Sequence, residues 1–206
     1  MTKKHIISDA ERAGGADSAP RIIGGTLRGR KLLYTGDPRT RPMKDRVREA
    51  LFNRLGPAVR GKQAMDLFAG TGALGLEAIS RGAAGAVLVE RHFPTADLIR
   101  QNAAALGVEA QCKIIPANTL LWSKRWPDLP SGSWVVFCSP PYDFYVDHLE
   151  EMLALVSGLM ERASGESIFC VEADERFDFA RLPNREAWDV RSYPPAVVGI
   201  WHKPQS

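Results

Sequence analysis

The chain has 206 residues, enough for one ordinary domain with a full hydrophobic core and too few for two of typical size plus a linker. Hydrophobic residues make up 45% and charged residues 25%, and no apolar run is long enough to cross a bilayer, which excludes a helical membrane protein. The net charge of +3 hides a division: residues 21–62 hold twelve Lys or Arg against three acids, a local +9 that leaves residues 63–206 at about −6.

Residues 1–20 mix Lys3, Lys4, Asp9, Glu11, Arg12 and Asp17 with small residues and lack the apolar stretch of a secretion signal. They read as a disordered tail on a cytoplasmic, monomeric protein. Residues 21–62 read as a basic extension. Within it Arg21–Tyr34 suits a small hairpin of two short strands around a glycine-containing turn. Met43–Leu55 sets Val47, Leu51, Phe52 and Leu55 at helical spacing, with Lys44, Arg46 and Arg48 off that stripe. So many cations with so few anions repel one another unless a polyanion neutralises them, so this part points to nucleic acid.

From Gln63 onward, short apolar runs alternate with helical stretches, the signature of βαβ units and a parallel sheet. The expected strands are 64–68, 86–90, 111–115, 133–138 and 167–172, with helices near 73–81, 94–106, 118–125 and 146–162. Trp188–Tyr193 and Ala196–Lys203, around Pro194-Pro195, read as an antiparallel finish, and 63–206 as one α/β domain. Cys112, Cys138 and Cys170 each lie in an apolar, strand-like run, so they read as buried free thiols, and no metal-ligand spacing is present.

Two motifs carry chemistry. Asp66-Leu-Phe-Ala-Gly70-Thr-Gly72-Ala-Leu-Gly75 follows a strand and opens a helix, so a ligand can approach its backbone amides. Its glycines also satisfy the dinucleotide spacing, but Asp66 at the strand end would repel a pyrophosphate and attract the ammonium of a methionine moiety. That favours S-adenosylmethionine over NAD. Glu90, ending the next strand, can accept both hydroxyls of a ribose. Asn118 either reads the adenine edge or caps the following helix.

The second motif is Ser139-Pro140-Pro141-Tyr142, again after a strand. Consecutive prolines lock the chain and offer carbonyls without amide hydrogens. The Ser139 hydroxyl and the Pro140 carbonyl could accept the two hydrogens of an exocyclic base amine and turn its lone pair toward a sulfonium methyl. The Tyr142 ring suits a stacked, flipped-out base.

These motifs, with Arg21-Ile-Ile-Gly-Gly-Thr-Leu-Arg-Gly-Arg-Lys-Leu, Arg41-Pro42 and Asp45-Arg-Val-Arg-Glu-Ala-Leu-Phe-Asn53, resemble the RsmD family of bacterial 16S ribosomal RNA guanine-N2 methyltransferases. The likeness runs over nearly everything after the tail. It implies a class I, Rossmann-like methyltransferase fold with a seven-stranded sheet. It further implies a cofactor site at Asp66, Phe68, Ala69, Gly70, Gly72, Glu90, Asn118 and Thr119. Catalysis is assigned to Ser139, Pro140, Pro141 and Tyr142, and contact with ribosomal RNA or the assembling small subunit to Arg28, Arg30, Lys31, Arg41 and Arg46. The family usually has Asp or Asn where this chain has Ser139, Thr at Met43 and often a small hydroxyl residue at Lys44. Those departures open two alternatives: an RNA-binding protein that keeps the fold without efficient transfer, and a cytosine-N4 methyltransferase, whose turn Ser-Pro-Pro-Tyr resembles.

Overall fold

The computed structural model describes residues 19–34, 36, 43–126 and 129–205. Nearly all of the expected tail, and Arg41, lie outside the described residues. Seven strands form one sheet: β1 Gln63–Asp66, β2 Gly85–Glu90, β3 Cys112–Pro116, β4 Trp134–Cys138, β5 Ile168–Asp174, β6 Asp189–Tyr193 and β7 Ala196–His202. Their order is β3-β2-β1-β4-β5-β7-β6. The first five run parallel, and β7 enters antiparallel to both β5 and β6. This is the class I methyltransferase arrangement that the family resemblance implies, and the parallel run with its antiparallel finish is as the sequence pattern anticipates. Order reverses at β1 and β4, so their carboxyl ends open the crevice where such sheets hold ligands.

Among the described residues six α-helices cover the sheet: α1 Asp45–Leu55, α2 Ala73–Ser80, α3 Phe93–Leu106, α4 Thr119–Trp122, α5 Phe144–Asp147 and α6 Leu149–Arg162. Strand residues alternate between the two faces. Ala64, Leu88, Val135 and Phe137 pack under α1, α2 and α3, whereas Met65, Val87, Val136 and Phe169 pack under the other three. Leu51, Phe52 and Leu55 of α1 and Ile22 and Leu32 join the first of these cores, so the basic segment shares one hydrophobic interior with the sheet. Among the described residues no helix is long and apolar enough to cross a membrane.

Four expectations need correction. The two strands of Arg21–Tyr34 reduce to a single antiparallel bridge, Arg21 to Lys31. The amides that would continue the ladder bond elsewhere: Ile23 and Gly24 donate to the Glu77 carboxylate at 2.7 and 2.8 Å, and Thr26 to the Ser80 carbonyl at 2.8 Å. The helix expected over 146–162 is broken at His148, the N-cap of α6, whose φ of −130° and ψ of 35° are not helical. Its first turn, α5, hangs instead on carbonyls of the preceding loop, with Phe144 N–H on Pro141 and Tyr145 N–H on Tyr142. The helix at 118–125 stops at Trp122, and by Trp126 the backbone has reached a left-handed φ of 42°. Finally, Cys138 and Cys170 are buried free thiols, but Cys112 is only half-buried.

Candidate active site

The carboxyl end of β1 continues into the glycine loop without losing its neighbours. Leu67 N–H bonds the Phe137 carbonyl on the β4 side at 3.0 Å, and Ala69 N–H bonds the Val89 carbonyl on the β2 side at 2.9 Å. Gly70 and Gly72 then take φ of 52° and 78°, values open to glycine at little cost. Gly75, one turn into α2, has no such φ, yet a Cβ there would come 2.8 Å from Leu88 Cδ2. Its role is to let the helix lie close on the sheet.

Asp66 is 1% exposed. One carboxylate oxygen accepts the Gly75 N–H at 3.0 Å, and the other, Oδ1, is buried with no hydrogen-bond partner among the described residues. Burial pushes this carboxyl up to about 7; the Gly75 amide pulls down and the nearby Glu90 charge pushes further up. Glu90 is half-buried and accepts the Gly70 and His92 amides, one on each oxygen, at 2.9 and 2.8 Å. A carboxylate oxygen has two lone pairs, so both remain able to accept a ligand hydroxyl.

Asn118 is exposed and caps α4, its side-chain oxygen taking the Leu120 and Leu121 amides at 3.0 and 3.2 Å. Only its NH₂ is left for a ligand edge. The Thr119 hydroxyl is turned inward and donates to the Leu67 carbonyl. Thr119 thus braces the loop from behind. Phe68 is half-exposed, and its ring meets the Phe144 ring edge-on at 5.7 Å. The Arg91 guanidinium lies over the other aromatic partner, 5.7 Å from the Phe144 centroid. Arg91 and Phe144 carried no motif in the sequence; only their places after β2 and β4 could have flagged them.

At the end of β4, Pro140 is buried, Ser139 and Tyr142 are half-buried and Pro141 is exposed. Their shared partner is Glu172 of β5, a residue outside both motifs. Ser139 Oγ donates to Glu172 Oε2, and Tyr142 Oη to Glu172 Oε1 at 3.0 Å. Glu172 is 7% exposed. Burial raises its carboxyl above the usual range, opposed by the hydrogen bonds from Ser139 and Tyr142. It sits in the apolar run Ile168–Asp174, and a single acid in a buried strand was the one available signal.

The described basic residues of the extension do not form one patch. Arg21, Arg48 and Arg54 are spent on Asp45, Glu77 and Asp189, and Lys62 is buried against Ser133. Arg28, Arg30, Lys31 and Arg46 are exposed. The turn carrying Arg28 is fastened to Ser80, the end of α2, and Arg30 Nη2 donates to the Ala105 carbonyl near the end of α3 at 2.5 Å. Both helix ends lie at the amino edge of the sheet, opposite the glycine loop. Arg46 instead donates to the Pro194 carbonyl at 3.1 Å, in the turn that precedes Ala196. Ala196 pairs with Asp174 at the carboxyl edge, so Arg46 stands on the same side as the candidate site.

A family model described as "Conserved hypothetical protein 95" matches residues 20–194. The chain belongs to this family. It is the RsmD-type family that the hairpin and helix blocks resemble, and the named relatives agree. Ribosomal RNA small subunit methyltransferase D of Escherichia coli K12 is 44% identical over 122 residues, 59% of this chain and 60% of that protein. The matched stretch therefore spans about 60% of the relative's length. Among solved structures, yhhF from Escherichia coli is 31% identical with a TM-score of 0.73, covering 91% of this chain and 99% of that one. A Thermus thermophilus 16S rRNA N2 G1207 methyltransferase, solved with AdoMet and guanosine, is 24% identical with a TM-score of 0.62. It covers 90% of this chain and 49% of that one, and shares the fold.

Proposed function

We propose that this RsmD-type chain transfers a methyl group from S-adenosylmethionine to the exocyclic N2 amine of a guanine in small-subunit ribosomal RNA, in the bacterial cytoplasm. One observation carries the reading. The Ser139–Tyr142 turn leaves β4 directly beside the glycine loop leaving β1, joined by the Leu67–Phe137 hydrogen bond of 3.0 Å. A methyl donor on one and an amine acceptor on the other would be neighbours.

The residues present fit the cofactor. A buried polar atom without a partner is uncommon, and Asp66 Oδ1 is one that an ammonium would satisfy. Glu90 would hold the ribose, the Asn118 NH₂ an adenine nitrogen, and Gly70 and Gly72 would let the ligand approach the backbone. When bound, S-adenosylmethionine supplies an electrophilic methyl on a sulfonium. The remaining work falls to the turn. Ser139 Oγ and the Pro140 carbonyl would accept the two amine hydrogens, so that the nitrogen turns pyramidal and its lone pair, no longer delocalised into the ring, points to the methyl. Tyr142, fixed by its bond to Glu172, would present its ring to the extruded base.

Mass-spectrometric mapping of 16S rRNA from a strain lacking this gene tests the reading. One N2-methylguanosine should vanish and return on complementation. An unchanged pattern overturns it, and loss of an N4-methylcytidine instead would favour the cytosine reading that Ser139 supports.

A further inference from the structure

Two carboxylates are buried in this chain away from the cofactor loop, and they are treated differently. Glu77 is matched with cations, Arg81 Nε at 2.7 Å and Arg48 Nε at 3.9 Å. Glu172 has no Lys, Arg or His in an ion pair among the described residues; its hydrogen bonds come from the Ser139 and Tyr142 hydroxyls. Burying a carboxylate on neutral donors alone costs stability that a hydrophobic residue would not. Its two oxygens hold the two polar side chains of the candidate catalytic turn, one each.

We infer that Glu172 is the positioning residue behind Ser139 and the final acceptor of the proton released on methylation, an inference that rests on the amine-methyltransferase reading above. A serine hydroxyl alone is a weak acceptor compared with the Asp or Asn usual at this position. Donating its own hydrogen to a carboxylate makes the same oxygen electron-richer toward the amine. In the transfer step the amine electron pair forms the nitrogen–methyl bond as the methyl–sulfur bond breaks and its pair stays on sulfur. The nitrogen is left with one proton too many. Ser139 Oγ takes that proton while its hydroxyl proton passes to Glu172 Oε2, leaving a neutral methylated amine and a neutral carboxylic acid. Tyr142 on Oε1 keeps the other oxygen aimed at Ser139. Around Glu172 stand Ser139 and Tyr142 of the turn, Tyr145 of α5 and Val198 opposite on β7. A carboxylate raised by burial is the better base for this step.

The test is tritiated methyl transfer from S-adenosylmethionine to small subunits purified from the deletion strain, with wild type, Glu172→Gln, Ser139→Ala and the double variant. Each single variant should lose kcat by about a hundredfold, with KM for the subunit and calorimetric Kd for the cofactor moved by no more than about threefold. The double variant should lose no more than either single one, since one relay is removed in each. The wild-type rate should rise with pH on a limb above the ordinary carboxylate range, and the Gln variant should lack that limb. Without RNA, the carbon-13 titration of the Glu172 carboxyl should move upward in Ser139→Ala, which removes a donor to the ionised form. Wild-type kcat in a folded Glu172→Gln, additive losses in the double variant, or an unmoved titration overturns the inference and leaves the methyltransferase reading standing. Should Glu172→Gln not fold, Ser139→Ala and the titration decide alone. Absence of transfer by wild type to any RNA overturns both.

Discussion

The Glu90 carboxylate accepts the Gly70 amide at 2.9 Å, so the end of β2 is tied directly to the glycine loop that leaves β1. Its other oxygen holds the His92 amide. The residue proposed to meet a ribose therefore also shapes the loop. Glu90→Gln turns an NH₂ toward one of two backbone donors and should weaken both roles. Losing one charge-assisted hydrogen bond corresponds to about 1.5–3 kcal/mol, roughly ten- to a hundredfold in cofactor Kd by calorimetry. An affinity within twofold of wild type would remove Glu90 from the cofactor site.

Asp66 predicts a pH dependence with a definite sign. Its carboxyl titrates near 3.8 unfolded and is raised to about 7 in the fold. The folded state thus binds the extra proton between those values, and the resulting stability is present at low pH and lost as pH rises through about 7. Cofactor binding runs the other way, because an ammonium needs the ionised carboxylate. The thermal shift produced by S-adenosylmethionine should be largest above pH 7 and shrink below it, while Asp66→Asn should show a small shift at every pH. A wild-type shift that is flat from pH 5 to 8 would contradict the assignment.

The glycine loop and the proline turn were legible in the sequence because their chemistry is local: a few neighbouring residues set the conformation and the donors. The five parallel strands and β7 were legible too, each as an apolar run bounded by turn residues, whereas β6, Asp189–Tyr193, is largely polar and exposed. What escaped were contacts between distant segments. Nothing near Ile23 or Gly24 announces that their amides leave the hairpin for Glu77, and nothing near Ser139 announces Glu172, 33 residues on. The break at His148 was hidden for a related reason. Val146 looks like the start of the apolar stripe of α6, but it is 54% exposed, and the residue buried there is Tyr145.

Glu77 holds the basic segment to the core. Fully buried, it accepts the Ile23 and Gly24 amides and pairs with Arg81, facing Arg48, whose Nε has no hydrogen-bond partner. Glu77→Ala leaves Arg48 with Asp45 as its one ion-pair partner among the described residues and strips the Ile23 and Gly24 amides and Arg81 of their acceptor, a loss of about 3–5 kcal/mol in urea unfolding. Glu77→Gln, which keeps one acceptor, should lose less. A loss below about 1 kcal/mol for the alanine variant would mean that water replaces the carboxylate.

The exposed cations should divide by the edge of the sheet they occupy. Arg46 lies on the side of the candidate site, so Arg46→Ala should weaken RNA binding and lower the salt slope by about one phosphate contact. Arg28 and Arg30 lie at the opposite edge; Arg30 is bonded to the Ala105 carbonyl as Arg46 is to the Pro194 carbonyl, so position is what separates them. Their alanine variants should leave affinity for a short stem–loop nearly unchanged. Filter-binding titrations across a salt series check this, and equal effects at Arg30 and Arg46 would show that RNA wraps both edges.

Ser139 is one of the three positions where the sequence departs from the pattern it resembles, and its partner Glu172 suggests which replacements work. In Ser139→Asn the NH₂ can donate to Glu172 as the hydroxyl does, while the carbonyl oxygen turns to the amine. Both contacts are kept, and kcat should exceed that of Ser139→Ala by at least about tenfold. Ser139→Asp sets a second carboxylate against Glu172. Two acids in contact cannot both ionise readily, so one retains a proton until the pH is well above the usual carboxylate range. The Asp variant should therefore differ from the Asn variant less in its maximal rate than in its stability, which should fall as pH rises and the shared proton is lost. Chemical unfolding of the two variants at pH 6 and pH 9, with single-turnover rates at each, would show it. Equal pH dependence in both would mean that residue 139 and Glu172 part company once the hydroxyl is gone.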